Sequence, residues 1–492
     1  MGRWLVVLAG VGALLFPALL LAARGDLDPT FGSGGKLRTD FGGSEIGSSV
    51  AVQRDKRVVV AGDRLNPDSS GDFVLARYTA NGRLDPSFDG DGKVETDFGG
   101  GVDGAFDVQI QGDGKIVAAG RGVPTFELVA ADFALARYRT DGSLDPTFGK
   151  DGKVVTTFQT DSIDSASAVL IQADGKIVAG GGTRGDVSTS DFALARYLPD
   201  GGLDPSFGSG GRVITPISSA ADHLFDLAFQ ADGKLVAAGW SFQGGGPHIA
   251  LARYDQDGIL DRSFDGDGIV IASFRSAGAH ILVQRDGKLL VTGGGEVTRF
   301  SADGSLDGSF GEGGRARSGN VGAFATALQP DGKILVIGTV VTGSSPSGDF
   351  GVARLTGSGR LDSSYGRQGS VVTQFSSGSD DQALDGVLLP DGKLVVSGMS
   401  NATPQEDVWG PWDFAVARYV AVRFCVVPNV RRKTLGVARS ALTKAQCKVG
   451  IVKRRYSTTV ERGRVISQVP VPRTRLAELA KVALVVSRGR RR

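Results

Sequence analysis

The chain has 492 residues, of which 41% are hydrophobic and 74 are Gly, about double the ordinary glycine share of ~7%. That length allows two or three domains with apolar cores, and only three His and two Met leave few of the side chains that usually carry metal or acid–base chemistry. The formal charge of +2 hides a split, because residues 420–492 hold 19 Lys and Arg against Glu461 and Glu478, net +17, while residues 1–419 are net −15.

The N-terminus reads as a targeting segment. Arg3 precedes an apolar run from Leu5 to Ala23, and Leu21-Ala22-Ala23 offers small residues for cleavage before Arg24. The expectation is a signal peptide over 1–23. A retained anchor is the alternative, since 19 apolar residues could span a bilayer, although Gly10, Gly12 and Pro17 weaken such a helix. Export to the cell surface or medium follows from either.

From Leu27 to Tyr419 one phrase repeats seven times: a DFALARY-like run, a polar DG turn, an LDPSFG-like run, then an apolar segment with DGK-I-V-A-G. The LD dipeptide begins at Leu27, Leu84, Leu144, Leu203, Leu260, Leu306 and Leu361. Fixed-period self-similarity of this size means stacked supersecondary units. In the third unit, residues 166–172 lead through Ala173-Asp174-Gly175 into residues 176–180, a hairpin signal because Asp and Gly tolerate positive φ. Asp191–Tyr197 and Leu203–Phe207 supply two further strands. Four short strands per unit predict a mainly β fold, a seven-bladed β-propeller over 24–420; a right-handed β-solenoid is the rival. The chain enters the first unit at Leu27–Gly32 and leaves the seventh after Tyr419, so the N-terminal run is predicted to complete the last blade and remove the open sheet edge.

The recurring D-F-A-L-A-R-Y-x-x-D-G-x-L-D-P-[ST]-F-G and Q-x-D-G-K-[IL]-V phrases resemble the bacterial Delta-60 repeat family over residues 27–419, with the fifth unit, Glu296-Val297-Thr298-Arg299-Phe300, the most eroded. The resemblance implies a propeller-like structure in secreted or surface proteins and no established activity.

Within the repeat, Arg77, Arg137, Arg196, Arg253, Arg354 and Arg418 recur with Asp85, Asp145, Asp204 and Asp261, one hairpin turn away. A catalytic residue is needed once, a scaffold contact once per blade, so these read as a structural Arg–carboxylate bridge or turn-locking hydrogen bonds. Asp89-Gly90-Asp91-Gly92 and Asp265-Gly266-Asp267-Gly268 resemble fragments of calcium loops, but other units read GSGG or GKDG there, which favours turns. Gly180-Gly181-Gly182 and Gly293-Gly294-Gly295 read as turns as well. His223, His248 and His280 share no repeat position and are expected in loops or on the surface. No catalytic, cofactor-binding or metal residue is assigned.

The basic tail reads as a separate α+β module over 424–489, followed by basic residues 490–492. One helix near Thr434–Leu442 and strands at Lys448–Val452, Gly463–Pro470 and Lys481–Ser487 are predicted. The phrases V-P-x-V, T-L-x-x-A, G-x-V-I-S-Q-x-P and L-V-V-S-x-G resemble a PASTA domain. That family is associated with cell-wall muropeptides and β-lactams and sometimes serves only as a spacer. Arg473 and Leu479 depart from its pattern, each standing where the family commonly has Gly. Cys425 and Cys447 fall in this one exported module and are read as a disulfide, with metal ligation or free thiols as alternatives.

Three functions fit. The first is an exported binding or scaffold protein, whose tail touches peptidoglycan or another anionic wall polymer and whose propeller takes a protein or glycan ligand. The second is a lactonase- or lyase-like enzyme at the central cleft. The third is a purely structural surface component. Nucleic acid is disfavoured, because the basic tail has few interleaved aromatics, Phe424 and Tyr456 apart, and is exported. The first is preferred, with no enzymatic activity.

Overall fold

A computed structural model describes residues 25–66, 70–123, 131–184, 189–276, 280–341, 348–401, 411–421, 424–477 and 480–491. The apolar run of the targeting segment lies outside them.

Seven four-stranded antiparallel sheets follow one another along the chain. Six are continuous: residues 44–96, 104–156, 163–215, 222–275, 280–317 and 321–373. The seventh takes Asp380–Leu388, Lys393–Asn401 and Trp412–Val420 from the end of the repeat array and its outer strand, Lys36–Thr39, from the beginning. Lys36 lies opposite Ala417 and Thr39 opposite Phe414.

Each blade buries both faces. In the second strand of blade 1, Val58 and Val60 join one apolar cluster while Val59 and Ala61 join the next. Successive side chains on a strand point to opposite faces, so a strand packed on both sides reads as a continuous apolar run. Seven such clusters occupy the seven junctions. The last of them packs Val50, Val60 and Val74 of blade 1 against Val395, Phe414 and Val416 of blade 7, so the ring is closed. Each fully buried Val or Leu contributes about 1.5–3 kcal/mol.

The glycine that recurs five residues after the DGK lysine has a steric cause. A Cβ on Gly181 would stand 1.8 Å from the Ser165 carbonyl oxygen, because the innermost strand bulges toward it between Ala166 and Ala168.

One sequence expectation is corrected. Leu27–Gly32 is not the closing strand. Leu27 makes a single bridge to Tyr419, and the Asp28 carboxylate then accepts the Thr30 N–H at 3.1 Å and its hydroxyl at 2.7 Å, turning the chain. Gly32 and Gly35 at positive φ complete the turn, and the strand begins only at Lys36. The other LDPSF phrases are turns for the same reason.

In the tail the helix spans Leu435–Lys444, N-capped by Thr434, whose side chain accepts the Val437 N–H, and it buries Ala438 and Leu442. Lys481–Ser487 is the central strand, parallel to Lys448–Arg455 and antiparallel to Val465–Val469. A short pair, Phe424–Val426 with Arg475–Ala477, was not anticipated, so Cys425 lies within a strand. Arg473 has φ +70, the conformation that favours Gly at this position.

Candidate functional site

The repeated residues converge on one node per blade. In blade 3, Arg196 Nε donates to Asp204 Oδ2 at 2.7 Å and its Nη2 to Ser206 Oγ at 3.0 Å. Its Nη1 donates to the Gln256 carbonyl of the next blade, and the guanidinium lies 4.6 Å from the Phe207 ring centre. Asp204 Oδ1 accepts the Ser206 N–H and hydroxyl. The Arg–Asp separation is 2.9 Å for Arg77–Asp85, 2.8 Å for Arg137–Asp145, 2.8 Å for Arg253–Asp261 and 2.7 Å for Arg299–Asp307. Arg354 is 2.9 Å from Asp362, and Arg418 is 2.8 Å from Asp28. The last pair joins the two ends of the array.

The sequence reading missed the third member of this node. The DGK lysine reaches the same carboxylate oxygen: Lys176 stands 2.9 Å from Asp204, Lys115 2.9 Å from Asp145 and Lys393 2.7 Å from Asp28. In the degenerate first unit Arg57 takes this role on Asp85 at 2.8 Å, and Lys56, at the glycine position, adopts φ +72. Burial alone would raise these carboxyls. Hydrogen bonds from the Lys and the Ser or Thr, with the nearby Arg charge, outweigh it and hold Asp28 down to about 2 and Asp204 well below the usual carboxylate range.

A second latch crosses each of five junctions. The Tyr of ARY bonds a Thr on the preceding blade's outer strand, as in Tyr78–Thr39 at 2.7 Å and Tyr138–Thr96 at 2.8 Å. In the eroded fifth unit Phe300 faces a cluster containing Ala272, so both polar partners are lost together. The DGDG segments serve as turns. Asp89 (φ +51) and Asp265 (φ +50) stand where other units have Gly, and Asp91 and Asp267 accept the N–H two residues on.

At the ring axis lies a cavity of about 310 Å³ lined by the innermost strands. Counting six residues back from the Asp of each DGK turn gives one residue per blade: Ser49, Asp107, Ala168, Asp226, His280, Ala325 and Asp385. Each of the three Asp accepts an N–H of the following blade: Asp107 from Val169 at 2.8 Å, Asp226 from Ile281 at 2.8 Å and Asp385 from Val50 at 2.9 Å. Ser49 Oγ is 2.9 Å from Asp107 and 3.1 Å from Asp385, and His280 Nε2 is 3.7 Å from Asp226. Burial, then the charges of Asp226 and Asp385, push Asp107 up to about 7 against the Val169 and Ser49 hydrogen bonds. Phe106, Phe225, Phe324 and Leu384 supply apolar walls. The ring can therefore present acceptors and negative charge between apolar surfaces.

The sequence reading missed this ring as well, although Phe106-Asp107, Phe225-Asp226 and Leu384-Asp385 share one offset from DGK. It also misplaced the histidines, which lie on strands and are partly buried rather than in loops. His223 stacks with Trp240 and packs edge-on against Phe225, and burial lowers it to about 4. His248 Nδ1 is 2.8 Å from the Ala272 carbonyl. His280 shares the six-residue offset from DGK with the axial Asp, the signal that could have placed it on a strand.

In the tail, Cys425 and Cys447 are bonded, with Cα atoms 4.7 Å apart, inside an apolar cluster with Val430, Leu442 and Val482. Arg431, Arg432 and Lys433 precede the helix and are exposed, as are Lys453, Arg454 and Arg455 at the end of their strand. Arg488 donates its N–H to the Arg455 carbonyl, which brings exposed Arg488 and Arg490 to the same end of the sheet.

Residues 53–88, 111–148, 172–207, 230–264, 284–310 and 329–365 match the domain of unknown function DUF5122 β-propeller, and residues 426–488 match the PASTA domain. The chain is a DUF5122-repeat β-propeller with a C-terminal PASTA domain. Each DUF5122 match runs from the hairpin before DGK to the Phe of LDPSF. The seventh unit is divided between the ends of the array, and the six matches leave it out.

No curated protein matches the DUF5122 propeller chain. Among solved structures it is similar to a Dyadobacter fermentans protein of unknown function (12% identity, 80% of this chain and 96% of that one, TM-score 0.40). It is also similar to Sqt1 of Chaetomium thermophilum (13%, 78% and 96%, 0.43) and to the gluconolactonase XC5397 of Xanthomonas campestris (11%, 78% and 100%, 0.32). At these TM-scores the likenesses carry no argument.

For the PASTA disulfide, intact mass of the protein alkylated without and with reductant should show no modified thiol in the first case and two in the second. Two alkylated thiols before reduction would refute the bond. Closing this ~22-residue loop stabilises by about 3 kcal/mol in the chain-entropy model.

Proposed function

We propose that the protein is an exported, non-enzymatic binding scaffold at the cell surface, with the propeller as an interaction platform and the PASTA domain as its contact to peptidoglycan or an anionic wall polymer. The observation that carries this reading is a PASTA domain within a segment of net +17, joined to a repeat region of net −15. PASTA domains commonly bind peptidoglycan or its precursors, and a disulfide fits a location outside the reducing cytoplasm. The mouth of the axial cavity and the loops around it are the surfaces such a platform offers to a protein or glycan.

Charge of one sign in so short a segment creates a strong local field. Attraction between exposed charges is screened over ~8 Å at physiological ionic strength, so wall binding through the tail should weaken with salt. The test is co-sedimentation of the full chain and of a chain lacking residues 424–492 with purified sacculi, with and without their anionic polymer, across a salt series. The full chain is expected to pellet at low salt and the truncated chain to stay in solution. Failure of the full chain to pellet at low salt would remove the wall contact. Salt-insensitive binding lost on truncation would keep the contact and discard the charge mechanism.

A further inference from the structure

The seam where the ring closes brings three carboxylates together. Asp40 follows the closing strand, Glu45 lies on the innermost strand of blade 1 and Asp413 on the third strand of blade 7. Each offers a carboxylate oxygen, and these oxygens all lie within 4.8 Å of one another. Beside them Arg38 Nε is 3.7 Å from Asp413 Oδ2. Lys93 meets Asp40 at its main-chain carbonyl instead.

Glu45 is the informative member. It is 0% exposed, its Oε1 accepts the Gly43 N–H at 2.7 Å, and its Oε2 has no hydrogen-bond partner among the described residues. At four other junctions the corresponding residue is an Asp, one methylene shorter, with both oxygens engaged, while Ser276 and Val321 take the place ahead of the fifth and sixth DGK turns. Asp103 accepts the N–H groups of Phe98 and Val123, and Asp164 accepts the Phe158 N–H and the Thr183 hydroxyl. Asp381 accepts from Phe375, Ser379 and Ser400. The longer Glu45 side chain therefore leaves a buried oxygen unsatisfied beside two further carboxylates, an arrangement that costs stability unless a cation completes it.

We propose that Asp40, Glu45 and Asp413 bind one calcium ion at the seam between the seventh and first blades, and that this ion staples the closed ring. An all-oxygen set with three negative charges suits a hard divalent cation, and calcium, at about 2.3–2.6 Å from each oxygen, bridges ligands spaced this way better than magnesium at about 2.0–2.1 Å. The similar triplet Asp72, Asp97 and Asp103 at the next junction is an internal contrast, because both Asp103 oxygens are already engaged.

The test uses the full chain after chelator treatment, titrated with Ca²⁺ by calorimetry and with Tb³⁺ by luminescence, alongside Glu45→Gln, Asp40→Asn and Asp97→Asn. The expected result is a saturable site in the parent and in Asp97→Asn, weakened at least tenfold in Glu45→Gln and Asp40→Asn. Ca²⁺ should raise the melting midpoint of the parent by several degrees and leave that of Glu45→Gln unchanged. Asp40 is exposed, so its variant keeps the test decisive if Glu45→Gln fails to fold. Absence of saturable binding in the parent, or equal binding in both seam variants, would overturn the site.

Discussion

Deleting residues 24–39 is expected to abolish cooperative folding of the whole propeller rather than loosen one blade. The segment supplies the outer strand of blade 7, the buried Phe31, and the Asp28 that pairs with Arg418 and Lys393. Its loss strands the Arg418 guanidinium, whose side chain is only 4% exposed, and opens the Trp412–Val420 strand as an unpaired edge. Leaving one buried charge unpaired costs about 3–5 kcal/mol. The lost burial of Phe31 adds about 1.5–3 kcal/mol. Together these approach the total stability of a typical domain, about 5–15 kcal/mol. Calorimetry and size-exclusion chromatography of the truncated chain would check this, and an unchanged melting midpoint with a monomeric profile would disprove closure by the N-terminal strand.

Asp204→Ala is expected to be among the most damaging single substitutions in the array, at about 3–5 kcal/mol. It leaves Arg196 (5% exposed) and Lys176 without their shared carboxylate and releases the turn held through Ser206. Asp204→Asn keeps the shape but not the charge and should cost less. The pH dependence has a definite sign. These carboxyls are depressed in the folded state, Asp28 to about 2, so their stabilisation is complete above the unfolded value near 4 and is lost as pH falls through that value toward the folded one. Denaturant melts at pH 7 and pH 3 would show it. The parent should lose more stability on acidification than Asp204→Asn, and equal losses would mean that the node contributes through packing alone.

The node also shows where reading the sequence succeeded and where it stopped. Arg196 and Asp204 were recognisable as partners because they recur seven times across a short turn. A basic residue recurs just as often at the Lys176 position, Arg57 in the first unit and Lys in the others, but it reaches the carboxylate from the neighbouring strand of its sheet, a contact that spacing does not announce. The LDPSF phrase was taken for a strand from its apolar ends, whereas the Asp carboxylate folds it into a turn and the strand starts five residues after its Phe, at Lys36 in the first unit. The three axial Asp sit on innermost strands whose bulges shift the register, so their common direction toward the axis could not be seen from alternation.

The amino-acid sequence by itself determined the number of units, their four-stranded β character, the complementary ends that make a ring and the separate basic module, because each rests on local pattern repeated many times. Only the tertiary structure decided what gathers within the blades and across their junctions: the shared carboxylate of Arg and Lys, the axial ring of Asp107, Asp226 and Asp385, and the seam cluster of Asp40, Glu45 and Asp413. Asp40 and Asp413 lie at opposite ends of the array and meet only once the ring has closed, and the oxygen that Glu45 leaves unsatisfied becomes visible only after every neighbouring donor has found its partner.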